Sequence, residues 1–492
     1  MVRSLEQFIG GRFQAPASGQ YLVNLAPATG KPLSQVPRGG GEDVNAAVSA
    51  AQEAFDGPWR QWSVEQRAAL LDRIADSLQQ RADDLAALES ADTGKPLALA
   101  AKIDIPRAVA NFRFFATAVR QFGSDCFPME GALNYTHRSA LGPVALISPW
   151  NLPLYLLSWK VAPALAMGNT VVAKPSEMTP MTADALASVF EAADAPPGIF
   201  NLIHGLGGEA GQALVEHPDI KAVSFTGGTA TGSRVAATAA PQFKKLSLEL
   251  GGKNPTLVFA DCDFEATVNG AVRAAFTNQG QICLCGSRLL VEASLYPRFV
   301  EAFVAKVKQL KLGDPEHPET QLGALISAEH REKVESYLAL ARQEGGEILC
   351  GGQRPTLPEP WDQGFFLQPT VIAGLSPSCR TATEEIFGPV VSLHPFETEE
   401  EALAIANGVP YGLSASLWTG DVTRAHRLSQ ALECGLVWVN TWLLRDLRVP
   451  FGGVKASGVG REGGRYSLEF FSESKNVCIQ WNPNPASPKA SS

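Results

Sequence analysis

Several common features are missing from this 492-residue chain. Its eight cysteines, at 126, 262, 283, 285, 350, 379, 434 and 478, form no CxxC pair. That argues against a disulfide-stapled domain and against a structural zinc site. The seven histidines show neither HxH nor HExxH spacing, so no metal is expected. No apolar run reaches the ~18–20 residues of a membrane span. The opening MVRSLEQFIGG lacks a long apolar core and a small-residue cleavage site, so no signal peptide is expected. Basic residues are outnumbered, 41 Lys and Arg against 50 Asp and Glu, for a formal charge of −9. A broad phosphate-binding face is thereby excluded, and nucleic acid and membrane partners with it. A reduced cytoplasmic protein is the expectation.

What is present is ordinary globular composition, with 45% apolar and 18% charged residues. The length allows two to four structural units at roughly 100–200 residues each. The N-terminal third reads as helical, with Val44–Phe55, Leu70–Leu88 and Ile105–Phe122 carrying apolar residues at helical spacing. From about Gly142 short apolar runs alternate with helical stretches. Pro143–Ser148, Thr170–Lys174, Ile199–His204 and Lys221–Thr226 read as strands. Leu156–Ala166, Met181–Ala193, Gly208–Glu216 and Thr229–Ala239 read as helices. A second alternation follows Gly251, with strands at Thr256–Phe259 and Arg288–Val291 and helices at Ala266–Asn278 and Pro297–Leu310. This pattern predicts an α/β chain of two parallel-sheet units with a cleft between them. Phe127–Thr136 and Asn476–Gln480 fall outside both units, and the tail Pro483–Ser492, rich in Pro, Ser and Ala, reads as disordered.

Three side chains are candidates for chemistry. Cys283 sits in NQGQICLCGSR, a polar loop between a helix and a strand, where nucleophiles are often held. A buried structural cysteine satisfies the same pattern. On an extended chain Cys285 would point to the same side, so alternation does not separate the two. Glu249 ends an apolar strand in LSLELGGKN, and burial would raise its pKa toward that of a general base. Pairing with Lys245 or Lys253 fits the pattern equally well. Asn151, in SPWNLP, could donate to an oxyanion, or could simply close an Asx-turn before proline. Glycine-bearing turns at Gly205–Gly211 and Phe225–Gly232 each join a strand to a helix and could cradle phosphate at the helix N-terminus. Lys174 and Glu177 end the TVVAK strand, where they suit a ribose or phosphate, or else form a surface ion pair.

Taken together these segments resemble the aldehyde dehydrogenase superfamily. The strings are PWNLP (149–153), GNTVVAKPSE (168–177), SFTGG (224–228), ELGGKNP (249–255), FTNQGQICLCGSR (276–288), EEIFGPV (384–390) and PFGGVKASGVGRE (450–462). The resemblance implies two Rossmann-like α/β domains and a small β oligomerisation arm. Residues 1–121 and 142–250 would bind NAD, 251–471 would be catalytic, and 122–141 with 472–492 would form the arm. It assigns Cys283 as nucleophile, Glu249 as base and Asn151 as oxyanion donor. It lines the cofactor site with Ile147, Ser148, Pro149, Trp150, Lys174, Glu177, Gly207, Gly211, Phe225, Gly227, Gly228, Leu250, Glu385 and Phe387. Gly228 departs from the Ser of many members and removes one hydroxyl contact. Glu177 would accept the ribose hydroxyls and repel a 2′-phosphate, so NAD is expected over NADP. A homodimer or homotetramer is implied.

Substrate choice is read from two further segments, DIPRAVANFRFFA and WLLRDLRVPFGG. They look similar to the branch that oxidises 2-aminomuconate and 2-hydroxymuconate semialdehydes, aldehydes that carry a carboxylate. The resemblance puts Arg445, and Arg107 within about a turn, in the substrate tunnel, with Leu152, Trp159 and Phe451 as apolar walls. An arginine there calls for an anionic partner. Pairing of Arg445 with Asp446 at the surface is the competing reading. The alternatives are a broad aliphatic, betaine or retinal aldehyde dehydrogenase, and a non-catalytic structural homologue.

Overall fold

The β-branched run Thr170–Lys174 forms a strand buried along its whole length, and Pro143–Ile147 and Ala222–Thr226 are buried likewise. Strands hidden on both faces belong inside a helix-covered parallel sheet. The computed structural model describes residues 2–481, and the tail Pro483–Ser492 lies outside the described residues. Five parallel strands run in the order Lys245–Glu249, Ala222–Thr226, Pro143–Ile147, Thr170–Lys174, Phe200–Leu202. The chain leaves Pro143–Ile147 toward one edge and later returns to build toward the other. The order therefore reverses beside Pro143–Ile147, and a crevice opens at the carboxyl ends of the strands there. Ser148–Asn151 and Gly227–Gly228 lie on its two sides.

A second sheet is parallel from Thr370–Ala373 through Val390–Phe396, Arg288–Glu292, Pro255–Val258 and Ser414–Trp418 to Leu436–Val439. Glu347–Cys350 adds an antiparallel edge. A third sheet pairs Ser472–Gln480 with Ala132–Ala140 in antiparallel register from Ser472↔Ala140 to Gln480↔Ala132, with Cys126–Met129 on the other side.

The N-terminal reading needs correction. Residues Arg3–Pro37 hold five short strands. Gln7–Ile9 and Arg12–Gln14 extend the first sheet by antiparallel pairing, a long-range contact that leaves no local periodicity. The helix expected over Leu70–Leu88 is two helices, Val64–Gln80 and Ala82–Thr93, parted at Arg81. The helix expected over Gly208–Glu216 opens with a π-turn over Gly207–Gly211.

Candidate active site

The segment after the helix Phe264–Phe276 is not extended. Asn278 and Gln279 both take positive φ, at 52° and 56°, and the chain turns through Gln281–Ser287. The turn separates the two cysteines that alternation could not. Cys283 is partly open to the cleft, while Cys285 is buried with its Sγ 3.9 Å from the carbonyl of Thr277. Burial pushes the Cys285 thiol up to about 12. Close packing also raises the Cys283 thiol, and the carboxyls of Glu249 and Glu385 raise it further, against a lowering by Arg445.

Glu249 is buried, and neither carboxyl oxygen has a hydrogen-bond partner. The two lysines expected as its partners donate elsewhere. Lys253 donates to the carbonyl of Thr381 at 2.8 Å, and Lys245 to that of Ser472 at 2.7 Å. Burial first, then Glu462, drive the Glu249 pKa well above the usual carboxylate range. A desolvated carboxyl near a thiol is suited to proton transfer.

Asn151 makes no local Asx-turn. Its Nδ2 donates across the cleft to the carbonyl of Gln281 at 2.8 Å, which spends one of its two amide protons. Its own carbonyl accepts from Lys95 Nζ at 3.1 Å and from Asn278 Nδ2 at 3.2 Å. The helix that follows, Pro153–Ala166, starts with proline at its first position and is buried at every residue.

A cavity of about 230 Å³ gathers many of the expected residues: Pro149, Trp150, Asn151, Gly227, Gly228, Leu250, Cys283, Glu385 and Phe387 share its wall. Gly228 caps the eleven-residue helix Thr229–Ala239, with open space before it. Gly227 is required by close approach, since a Cβ there would lie 2.5 Å from the Phe225 ring. Glu385 comes so near Gly251 that a Cβ would lie 2.3 Å from its carboxylate, and Gly252 N–H donates to it at 2.9 Å. The Phe387 and Trp150 rings meet edge-on at 5.3 Å. Lys174 Nζ lies 3.0 Å from Glu177, so the ion pair does form, with the lysine buried and the glutamate partly exposed. Gly211 packs against the Lys174 side chain. Ile147 and Ser148 are buried at the strand end, Ser148 Oγ without a partner. Gly207 lies at the start of its π-turn, outside the cavity wall.

The two arginines approach the same tyrosine. Arg445 does not pair with Asp446, which instead binds Arg448. Its guanidinium lies 3.9 Å from the Phe451 ring centroid and 4.8 Å from that of Trp159. Two of the expected apolar walls thus lie within cation–π distance of a guanidinium. Arg107, on the first turn of the helix Ile105–Arg120, lies 5.3 Å from the Tyr155 ring centroid, and Arg445 Nη1 reaches Tyr155 Oη at 3.5 Å. Burial lowers the Arg107 pKa, as does Arg445, while Tyr155 opposes them. Arg107 Nη1 and Arg445 Nε and Nη2 are buried without a partner among the described residues. Leu152 packs in the same apolar cluster as Tyr155 and Phe451.

Several site residues escaped the sequence reading. Lys160 bonds Glu462 at 2.7 Å and Ser224 at 2.8 Å. Its signal was the one charged residue in a predominantly apolar helix, which calls for a buried acid. His330 and Lys333 join the cavity wall, with His330 Nε2 donating to the Phe387 carbonyl at 2.7 Å. Nothing local in the sequence marks them. Lys95, wholly buried, lies 2.6 Å from Asp104 and 3.6 Å from Glu89.

Known proteins resemble this chain along nearly its whole length. Residues 13–477 match the aldehyde dehydrogenase family. The chain belongs to that family. Aldehyde dehydrogenase relatives include the 2-aminomuconic semialdehyde dehydrogenase of Danio rerio, 49% identical over 97% of this chain and 98% of that one. The 2-hydroxymuconic semialdehyde dehydrogenase of Pseudomonas sp. (strain CF600) is 47% identical over 97% of this chain and all of its own length. The NAD+ complex of an aldehyde dehydrogenase from Bacillus cereus superposes with a TM-score of 0.95, at 38% identity and 97% coverage of both chains.

Proposed function

We propose that this aldehyde dehydrogenase oxidises a carboxylate-bearing semialdehyde, a 2-aminomuconate or 2-hydroxymuconate 6-semialdehyde, to the acid with NAD. The convergence of Arg107 and Arg445, with buried N–H groups left unpaired, carries the substrate reading. Two guanidiniums without a carboxylate partner suit an anion that arrives with the substrate. The same charge disfavours a cationic aldehyde such as betaine aldehyde.

Cys283 Sγ attacks the aldehyde carbon. The oxyanion that forms accepts hydrogen bonds from the second Asn151 amide N–H and from the Cys283 backbone N–H. NAD, once bound, would supply the hydride acceptor needed for the Cys283 adduct to become a thioester. Glu249, its pKa raised by burial, takes the thiol proton, releases it to solvent, and then takes a proton from the water that hydrolyses the thioester. The cofactor fit rests on the open helix N-terminus at Gly228, on Glu177 at the end of the Thr170–Lys174 strand and on Glu385 across the cleft. NAD is favoured over NADP by the Glu177 carboxylate.

The enzyme works as a homodimer or homotetramer. Phe127, Met129 and Ile479, all at least half exposed on the third sheet, support burial by another copy. A cytoplasmic location suits a chain with eight free cysteines. The decisive test compares NAD-dependent kcat/KM on 6-oxohexanoate and on hexanal, for the parent and for Arg445→Met and Arg107→Met. Selective loss on the carboxylated aldehyde supports the reading, and no change in either variant rejects it.

A further inference from the structure

We infer that Tyr155 is a specificity-determining residue, whose hydroxyl is a third contact to the substrate carboxylate beside the two guanidiniums. This rests on the carboxylate reading above and adds a neutral donor to it.

The geometry is particular. Tyr155 sits on the first turn of the Pro153–Ala166 helix, four residues after Asn151 and next to Leu156, which shares the cavity wall with Cys283. Its ring lies beneath the Arg107 guanidinium, and its Oη faces Arg445 Nη1. One side chain thus touches both cations. Two like charges held together repel, and burial lowers the Arg107 pKa further. The ring face offsets part of that cost by cation–π attraction. The phenol oxygen, accepting from Arg445, offsets more.

Accepting from an arginine leaves the phenol proton unused. Among the described residues the Tyr155 hydroxyl finds no acceptor, although the residue is 8% exposed. A buried hydroxyl whose oxygen faces a cation points its proton away from that cation. An anion bridging the unpaired Arg107 Nη1 and Arg445 Nη2 would meet it. The backbone holds Tyr155 for this task, because its carbonyl accepts from Asn111 Nδ2 at 3.1 Å and from Ser158 Oγ at 2.9 Å. A leucine would fill the apolar surroundings formed by Leu152, Trp442 and Phe451 but would offer neither ring face nor proton.

The test is Tyr155→Phe, which keeps the ring and removes only the hydroxyl. A hydrogen bond to a charged group contributes about 1.5–3 kcal/mol, or roughly tenfold or more in affinity. The ratio of kcat/KM on 6-oxohexanoate to that on hexanal should therefore fall about tenfold, through KM and not through kcat. Tyr155→Leu should lower the ratio further. An unchanged ratio in Tyr155→Phe, or a loss shared equally by both aldehydes, overturns the proposal. Arg445→Met run in parallel separates the failures. If it loses selectivity while Tyr155→Phe keeps it, only the tyrosine proposal falls. If both keep it, the carboxylate reading falls as well.

Discussion

Lys95 donates from its ammonium to the backbone carbonyl of Asn151 at 3.1 Å, and the same ammonium holds Asp104 at 2.6 Å. Asp104 lies three residues before Arg107 and directly precedes its helix. One buried cation therefore fixes the proposed oxyanion donor and the base of the helix that carries a proposed carboxylate contact.

Removing that cation should be costly twice over. Lys95→Met leaves Asp104 and Glu89 buried without their partner, a loss of ~3–5 kcal/mol for broken buried pairs. Thermal melting should show the destabilisation. In protein that remains folded, kcat should also fall, because Asn151 loses one of the two donors to its carbonyl.

Glu249→Gln should separate the two halves of the reaction. Acylation slows because the thiol loses its proton acceptor, and hydrolysis slows more, so reduced cofactor appears in a slow burst that approaches the active-site concentration. The steady rate then falls by about 10²–10⁴-fold, the usual loss of a general base.

The pH dependence has a defined sign. Burial raises the Glu249 pKa, so the ionised base appears only as pH climbs past that raised value. The Cys283 thiol is raised as well. kcat/KM should therefore rise with pH through apparent values that belong to the pair, well above the usual carboxylate range. Glu249→Gln should remove the carboxylate limb of the profile.

The two neighbouring cysteines should part in a labelling experiment. Cys283→Ser should abolish dehydrogenase activity and alkylation by iodoacetamide at the site. Cys285→Ser should keep most activity, since its thiol is buried toward Thr277 and pushed up to about 12.

Cofactor preference should shift at one carboxylate. Glu177→Gln removes the charge that would oppose a 2′-phosphate and frees Lys174 to meet it. The KM for NADP should fall while that for NAD rises, read from absorbance of the reduced cofactor.

Much of this protein was determined by sequence alone, because strand and helix periodicity is local. The buried run Thr170–Lys174 and the glycine turn before Thr229 could be read from neighbours in the chain. So could the positions of Cys283, Glu249 and Asn151 within recurring strings. The tertiary structure decided what each of these meets. Only the positive-φ turn at Asn278 and Gln279 sends Cys283 to the cleft and Cys285 inward. Only packing brings Arg107, Tyr155 and Arg445 together across more than three hundred positions of chain, and gives Asp446 to Arg448 instead. The N-terminal strands were hidden for the same reason. Their stability comes from partners far along the chain, and no local pattern records a partner.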